Sequence, residues 1–126
     1  MDYSKIKALI VDDSKTICRI NKQILLSVGI SDIEIEYDGK AGLDNFKKND
    51  YNLVLSDINM PIMDGFELVE KIRKIKNKEE CPVFMITTEG GRGEVIKALR
   101  LGANNYLVKP LQKESLIEKL HSFYNN

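Results

Sequence analysis

Three aspartates carry the strongest chemical signal in this chain. Asp12 and Asp13 follow the apolar run Ala8-Leu9-Ile10-Val11, and Asp57 follows Leu53-Val54-Leu55-Ser56. Asp57 opens a turn, Ile58-Asn59-Met60-Pro61-Ile62-Met63-Asp64-Gly65. Neighbouring strands lie about 4.8 Å apart, so if these two runs are neighbouring strands their terminal carboxylates converge. Two carboxylates about 5.5 Å apart repel by roughly 3 kcal/mol at an effective dielectric near 20. A divalent cation relieves that repulsion. Hard oxygen ligands with no histidine or thiolate among them favour Mg²⁺. Taken singly, Asp12-Asp13-Ser14 also reads as a helix N-cap and Asp57 as a turn residue before Pro61. Both together at adjacent strand ends favour a site.

Two more apolar runs end on polar groups, Ile86-Thr87-Thr88-Glu89 and Leu107-Val108-Lys109-Pro110. The Thr87 hydroxyl is suited to an anion's oxygen, and the Lys109 ammonium to the same opening. Alone, each also reads as an ordinary strand end or a solvated lysine. Assembled, three aspartates, a hydroxyl and a lysine suit phosphoryl transfer to a carboxylate. Asp57 attacks in line while metal and lysine neutralise the equatorial oxygens.

The elements that must position these groups alternate. Strands are expected at 7–11, 33–37, 53–56, 83–87 and 105–108. The first, third and fourth are nearly continuous apolar runs, as in parallel strands covered on both faces. The second, Ile33-Glu34-Ile35-Glu36-Tyr37, alternates and reads as a half-exposed edge. In the first helix Ile17, Ile20, Ile24, Leu25 and Val28 recur at helical spacing, and Gly29 suits its stop. The second helix spans about 40–48. The third, about 66–76, is expected to bury Leu68, Val69, Ile72 and Ile75. The fourth spans about 94–101 and the fifth about 113–124, with Leu116, Ile117, Leu120, Phe123 and Tyr124 on one side. Strict alternation implies a doubly wound α/β domain with a parallel sheet and right-handed crossovers. Ligands of such sheets sit beyond the carboxyl ends of the strands, where both acidic sites lie.

Bulk properties narrow the function. A chain of 126 residues fits one domain, 1–126. With 19 basic and 19 acidic residues it lacks the basic surplus of a general nucleic-acid binder. No apolar run approaches the roughly 18 residues of a membrane helix, and the N-terminus lacks a signal-peptide stretch. Cys18 and Cys81 have no metal spacing and read as reduced, buried thiols of a cytoplasmic protein. His121 is the only histidine, which argues against multi-histidine metal sites and His-based triads, and its place late in the last helix suggests the surface.

Asp12-Asp13, the run Asp57 to Gly65, Thr87, Gly102-Ala103 and Tyr106 with Lys109-Pro110 together resemble the receiver domain of bacterial response regulators, especially its single-domain chemotaxis members. The match spans almost the whole chain. The resemblance implies a flavodoxin-like (βα)5 fold with strand order 2-1-3-4-5, and a phosphorylation-activated switch of a two-component system. Such a switch is not an enzyme for other substrates; it catalyses only its own phosphorylation and dephosphorylation. Asp57 is then the phosphoacceptor, served by a sensor histidine kinase (CheA-like) or a small donor such as acetyl phosphate. Asp13 and Asp57 are direct Mg²⁺ ligands, Asp12 acts through water and Asn59 supplies its backbone carbonyl. Thr87 and Lys109 hold phosphoryl oxygens, Tyr106 turns inward as Thr87 moves, and the Lys109-Pro110 peptide is cis. The face of the fourth helix, fifth strand and fifth helix, with Gly90, Arg92, Val95, Tyr106, Val108 and Lys119, would bind the flagellar motor switch protein or another phosphorylation-dependent partner, the chain acting as a monomer without direct nucleic-acid or membrane contact.

Some features depart from the commonest pattern. Thr88 stands beside the phosphate site where a smaller residue is frequent, and its branch would slow access of water or large donors. Gly90-Gly91-Arg92-Gly93 makes a glycine-rich loop suited to a switch. Lys15 is placed to lean toward the pocket. Other functions compete. A phosphorelay carrier passing its phosphoryl group to a histidine phosphotransfer domain would use the first helix as its surface. A receiver cut from a longer DNA-binding regulator is weakened by where the chain starts and ends. A phosphatase with an aspartyl nucleophile needs a second acid at the position of Asn59. A flavin binder needs a hydroxyl- and glycine-rich phosphate loop where Asp12-Asp13 would repel the phosphate.

Overall fold

The computed structural model describes residues 2–88 and 91–124. After a 3₁₀ turn at Tyr3–Lys5, five strands alternate with five helices: β1 (Lys7–Val11), α1 (Lys15–Ser27), β2 (Asp32–Glu36), α2 (Gly39–Lys48), β3 (Leu53–Asp57), α3 (Gly65–Ile72), β4 (Val83–Thr87), α4 (Arg92–Leu101), β5 (Asn105–Val108) and α5 (Lys113–Tyr124). The sheet is parallel throughout, in the order β2-β1-β3-β4-β5, as the resemblance implies.

Side chains of a strand point alternately to its two faces, and here that splits the core in two. Leu9 and Val11 of β1 join Phe46, Val54, Leu68, Ile72 and Met85 under α2, α3 and α4. Ala8 and Ile10 join Cys18, Leu25, Leu55, Leu116 and Leu120 under α1 and α5. Every residue of β3 and β4 is buried. The edge strand β2 buries Ile33 and exposes Asp32 and Glu34.

Register then fixes the functional edge. Val11 lies opposite Ser56, so Asp12, one residue on, is level with Asp57. Thr87 lies opposite Val108, which puts Lys109 just past Thr87, where its N–H donates to the Thr87 carbonyl at 2.7 Å.

Three expected core positions are corrected. Ile75 is exposed because α3 ends at Ile72; the N–H groups of Lys74 and Ile75 tighten onto the carbonyls of Lys71 and Ile72, three residues back. The Arg73 guanidinium anchors that turn, donating to the carbonyls of Gly102 (2.7 Å) and Cys81 (2.9 Å) and to Asn104 Oδ1 (2.7 Å). Ile117 of α5 and Ile20 of α1 are also exposed; the buried stripe of α1 runs through Cys18, Asn21 and Leu25. The remaining boundaries shift by one or two residues, within ordinary fraying. Both cysteines are free and buried. Burial pushes each thiol up to about 12, aided at Cys18 by the Asp12 charge, so both stay protonated. His121 is exposed. Among the described residues no helix is long and apolar enough to cross a membrane.

Asn21 is the surprise of α1. It is buried, and its Nδ2 has no hydrogen-bond partner among the described residues. An unsatisfied buried donor costs about 1–3 kcal/mol. Asn21→Leu is therefore expected to stabilise the domain by about 1–2 kcal/mol, read as a higher urea midpoint at unchanged slope. An unchanged or lower midpoint would show that the amide is paired in solution.

Candidate functional site

The carboxylates of Asp12, Asp13 and Asp57 converge at the C-terminal edge of the sheet, one oxygen from each lying within 4.8 Å of the others. Asp12 and Asp57 are buried while Asp13 faces solvent. Each is fixed locally. Asp12 Oδ1 accepts the Ser14 N–H at 2.9 Å, and Ser14 Oγ accepts the Ile17 N–H at 3.2 Å. The N-cap and the site are thus one construction: Ser14 caps α1 while Asp12 stays free to face Asp57. Asp57 Oδ1 accepts the Ile58 N–H at 2.8 Å, which sets the rotation of its carboxylate.

Lys109 Nζ lies 3.2 Å from both Asp12 Oδ2 and Asp57 Oδ2, and the Lys109-Pro110 peptide that follows it is cis. Burial works against its charge, but the Asp57 and Asp12 carboxylates outweigh it and hold the ammonium above its ordinary value. Burial, then the Asp57 charge, raises Asp12 above the usual carboxylate range; the Ser14 N–H and Lys109 oppose the shift without cancelling it. Although Lys109 is close, Asp12 Oδ2 is buried and has no directed hydrogen-bond donor. We read the pair as Coulombic, with an acceptor left over.

These features fit a hard divalent cation. The donors are oxygens, the nearby Cys18 remains a thiol, and three carboxylates against one ammonium leave an excess of two negative charges. The orphaned Asp12 oxygen is the group that such an ion, or its water, would satisfy.

The turn after Asp57 is tightly built. Gly65 N–H donates to the Ile58 carbonyl at 2.7 Å. A Cβ on Gly65 would lie 2.3 Å from the Asp57 carbonyl oxygen. Asn59 is exposed in this turn. Ile62 has φ +71° and is 77% exposed, an unusual backbone for a β-branched residue. No sequence signal marked it. Lys15 does not lean into the pocket; its ammonium sits 5.5 Å from the centre of the Tyr37 ring.

Thr87 is buried, and its hydroxyl donates to the Thr88 carbonyl at 3.3 Å. Thr88 itself is exposed. Thr87 borders a cavity of about 350 Å³ that Arg92, Val95, Tyr106 and Val108 also line. Tyr106 is turned outward, 38% exposed. A second cavity, between β5 and α5, includes Lys119. The expected face therefore comes together at Arg92, Val95, Tyr106, Val108 and Lys119, while Gly90 lies outside the described residues. Gly91 precedes α4 without a side-chain cap.

Residues 8–121 match the response regulator receiver domain family. A chemotaxis protein CheY homolog of Campylobacter jejuni is 47% identical over 115 residues, covering 90% of this chain and 88% of that protein. Chemotaxis protein CheY1 of Helicobacter pylori is 44% identical over 118 residues, covering 90% and 93%. Among solved structures, the chemotaxis response regulator CheY4 of Vibrio cholerae superposes with a TM-score of 0.83 at 33% identity, covering 94% of this chain and 98% of that one. A two-component response regulator from Clostridium difficile gives 0.86 at 30% identity, covering 97% and 98%. With the sheet order and the acidic edge already in place, these matches establish that the chain belongs to the response regulator receiver domain family, of the CheY type.

Proposed function

We propose that this chain, as one receiver domain, is a chemotaxis response regulator that accepts a phosphoryl group on Asp57 from a sensor histidine kinase and then binds a flagellar motor switch protein. The observation that carries this reading is the convergence of three carboxylates within 4.8 Å, with Lys109 3.2 Å from two of them. Asp13, Asp57 and the Asn59 carbonyl would hold Mg²⁺, with Asp12 acting through water. The ion supplies charge neutralisation for the phosphoryl oxygens.

The chain's own groups do the rest. The Ile58 N–H orients the Asp57 carboxylate, one oxygen of which attacks phosphorus. The bond from phosphorus to the donor breaks as the acyl phosphate forms. The Lys109 ammonium and Thr87 hydroxyl take phosphoryl oxygens. The product carries about one more negative charge than the carboxylate it replaces. That charge draws Thr87 and Lys109 toward the phosphate, and Tyr106 turns into the space behind Thr87. The altered face at Arg92, Val95, Tyr106, Val108 and Lys119 then meets its partner. A 1:99 equilibrium needs about 5.5 kcal/mol to become 99:1, so phosphoryl group and partner share the shift. The setting is cytoplasmic, where such a kinase presents its phosphohistidine.

Intact mass after incubation with acetyl phosphate tests this directly. With Mg²⁺ the mass is expected to rise by one phosphoryl group; with EDTA, labelling is expected to fall at least about tenfold. Equal labelling in both conditions would sink the metal role. No labelling from either acetyl phosphate or a kinase phosphohistidine would sink the acceptor role.

A further inference from the structure

We propose that Lys119 is a positioning residue that holds the Tyr106 ring outward while Asp57 carries no phosphoryl group. This rests on the reading of Tyr106 as the moving part of the switch, and it assigns the residue that sets its resting position. The Lys119 ammonium lies 5.7 Å from the centre of the Tyr106 ring, within the range of a cation–π contact. The other anchor of Lys119 is Glu118 Oε1 at 3.7 Å. The Glu118 side chain is 77% exposed, so that pair is weak and leaves the ammonium to the ring.

Among the described residues, Lys119 is the one group set against the ring. The hydrogen bond of Tyr106 to a neighbouring side chain runs from its backbone N–H to Asn105 Oδ1 at 2.9 Å, which leaves the ring itself unanchored by it. Tyr106 itself borders a cavity of about 350 Å³ that Thr87, Gly91, Val95 and Val108 also line. The ring has space to enter, so its outward place is not imposed by steric exclusion from the inside. It follows from a contact on the outside, and that contact comes from α5, not from the phosphate site. An exposed cation–π contact is worth about a two- to fivefold bias in population. Lys119 thereby sets how far the switch must be pushed.

The test uses the whole chain with fluorine-labelled tyrosine, no phosphoryl donor and no partner. The chain has five tyrosines, and the Tyr106 signal is the one missing from Tyr106→Phe. Acetyl phosphate with Mg²⁺ defines the inward position. Lys119→Met keeps the apolar stem and removes the charge; it is expected to raise the inward-to-outward ratio about two- to fivefold. Lys119→Arg keeps a cation that stacks well on aromatic rings and is expected to stay at the wild-type position. The other four signals report that the variants are folded. A wild-type Tyr106 position in Lys119→Met, with acetyl phosphate still moving the ring, overturns the proposal and leaves the switch reading standing. A ring that acetyl phosphate does not move overturns that reading and the proposal with it.

Discussion

Asp57→Asn is expected to fold normally and to lose phosphoryl labelling entirely. The substitution is nearly isosteric. Its carbonyl oxygen can still accept the Ile58 N–H that now binds Asp57 Oδ1 at 2.8 Å. An amide oxygen, however, is a poor nucleophile toward phosphorus and cannot form the acyl phosphate. The electrostatic balance also predicts stability. Carboxylate oxygens within 4.8 Å of one another repel by at least about 3.5 kcal/mol per charged pair at an effective dielectric near 20, less where Asp13 meets solvent. Removing the charge at 57 relieves Asp12, which is buried, while Lys109 keeps Asp12 as a partner at 3.2 Å. The thermal midpoint should equal or exceed that of the wild type. Full labelling of Asp57→Asn would place the acceptor elsewhere, with Asp13 the first to examine.

Much of this site was legible because strand ends are legible. Each of the runs Ala8–Val11, Leu53–Leu55 and Val83–Thr87 is apolar enough to require burial, and a strand buried on both faces can only present its polar chemistry where it stops. Asp12, Asp57 and Thr87 sit at such stops, and Lys109 follows the half-exposed edge strand β5. Which strands are neighbours was not legible in periodicity. The pairing of Val11 with Ser56 joins residues far apart in sequence, and the resemblance supplied that order. Side-chain destinations were also hidden. Lys15 has the reach to enter the pocket, yet the ring of Tyr37 takes it.

Other misses have local causes. Helical spacing marks a stripe wider than the one actually buried, so Ile20, Ile75 and Ile117 counted as core although their helices turn them out. Asn21 failed in the opposite sense: a polar residue on the buried stripe breaks the hydrophobic pattern, and only packing reveals its place. The Arg73 cluster joins the end of α3 to the Gly102 carbonyl and the Asn104 side-chain oxygen through long-range hydrogen bonds. No motif announces a guanidinium that serves scattered carbonyls.

The second large effect is expected from a residue with no chemistry of its own. Gly65→Ala should lower stability by about 1–3 kcal/mol, the usual cost of overpacking, or roughly 5–15 °C for a domain of this size. It should also slow labelling by acetyl phosphate at least about tenfold. The backbone angle is not the cause, since Gly65 begins α3 in ordinary helical conformation. Space is the cause. A methyl group there would meet the Asp57 carbonyl oxygen at 2.3 Å, Met85 Cε at 2.6 Å and Ile58 Cα at 2.9 Å. Met85 can swing away, but the two backbone atoms cannot move without shifting the end of β3 or the start of α3. Either shift breaks the Gly65 N–H to Ile58 carbonyl bond and moves Asp57, the reacting residue. Both readouts should therefore fail together, whereas a change confined to packing would cost stability and spare the rate of the folded protein. Wild-type melting with wild-type labelling in Gly65→Ala would mean that α3 does not approach Asp57 this closely. Lost stability with an unchanged rate would mean that Asp57 is positioned independently of the helix that follows it.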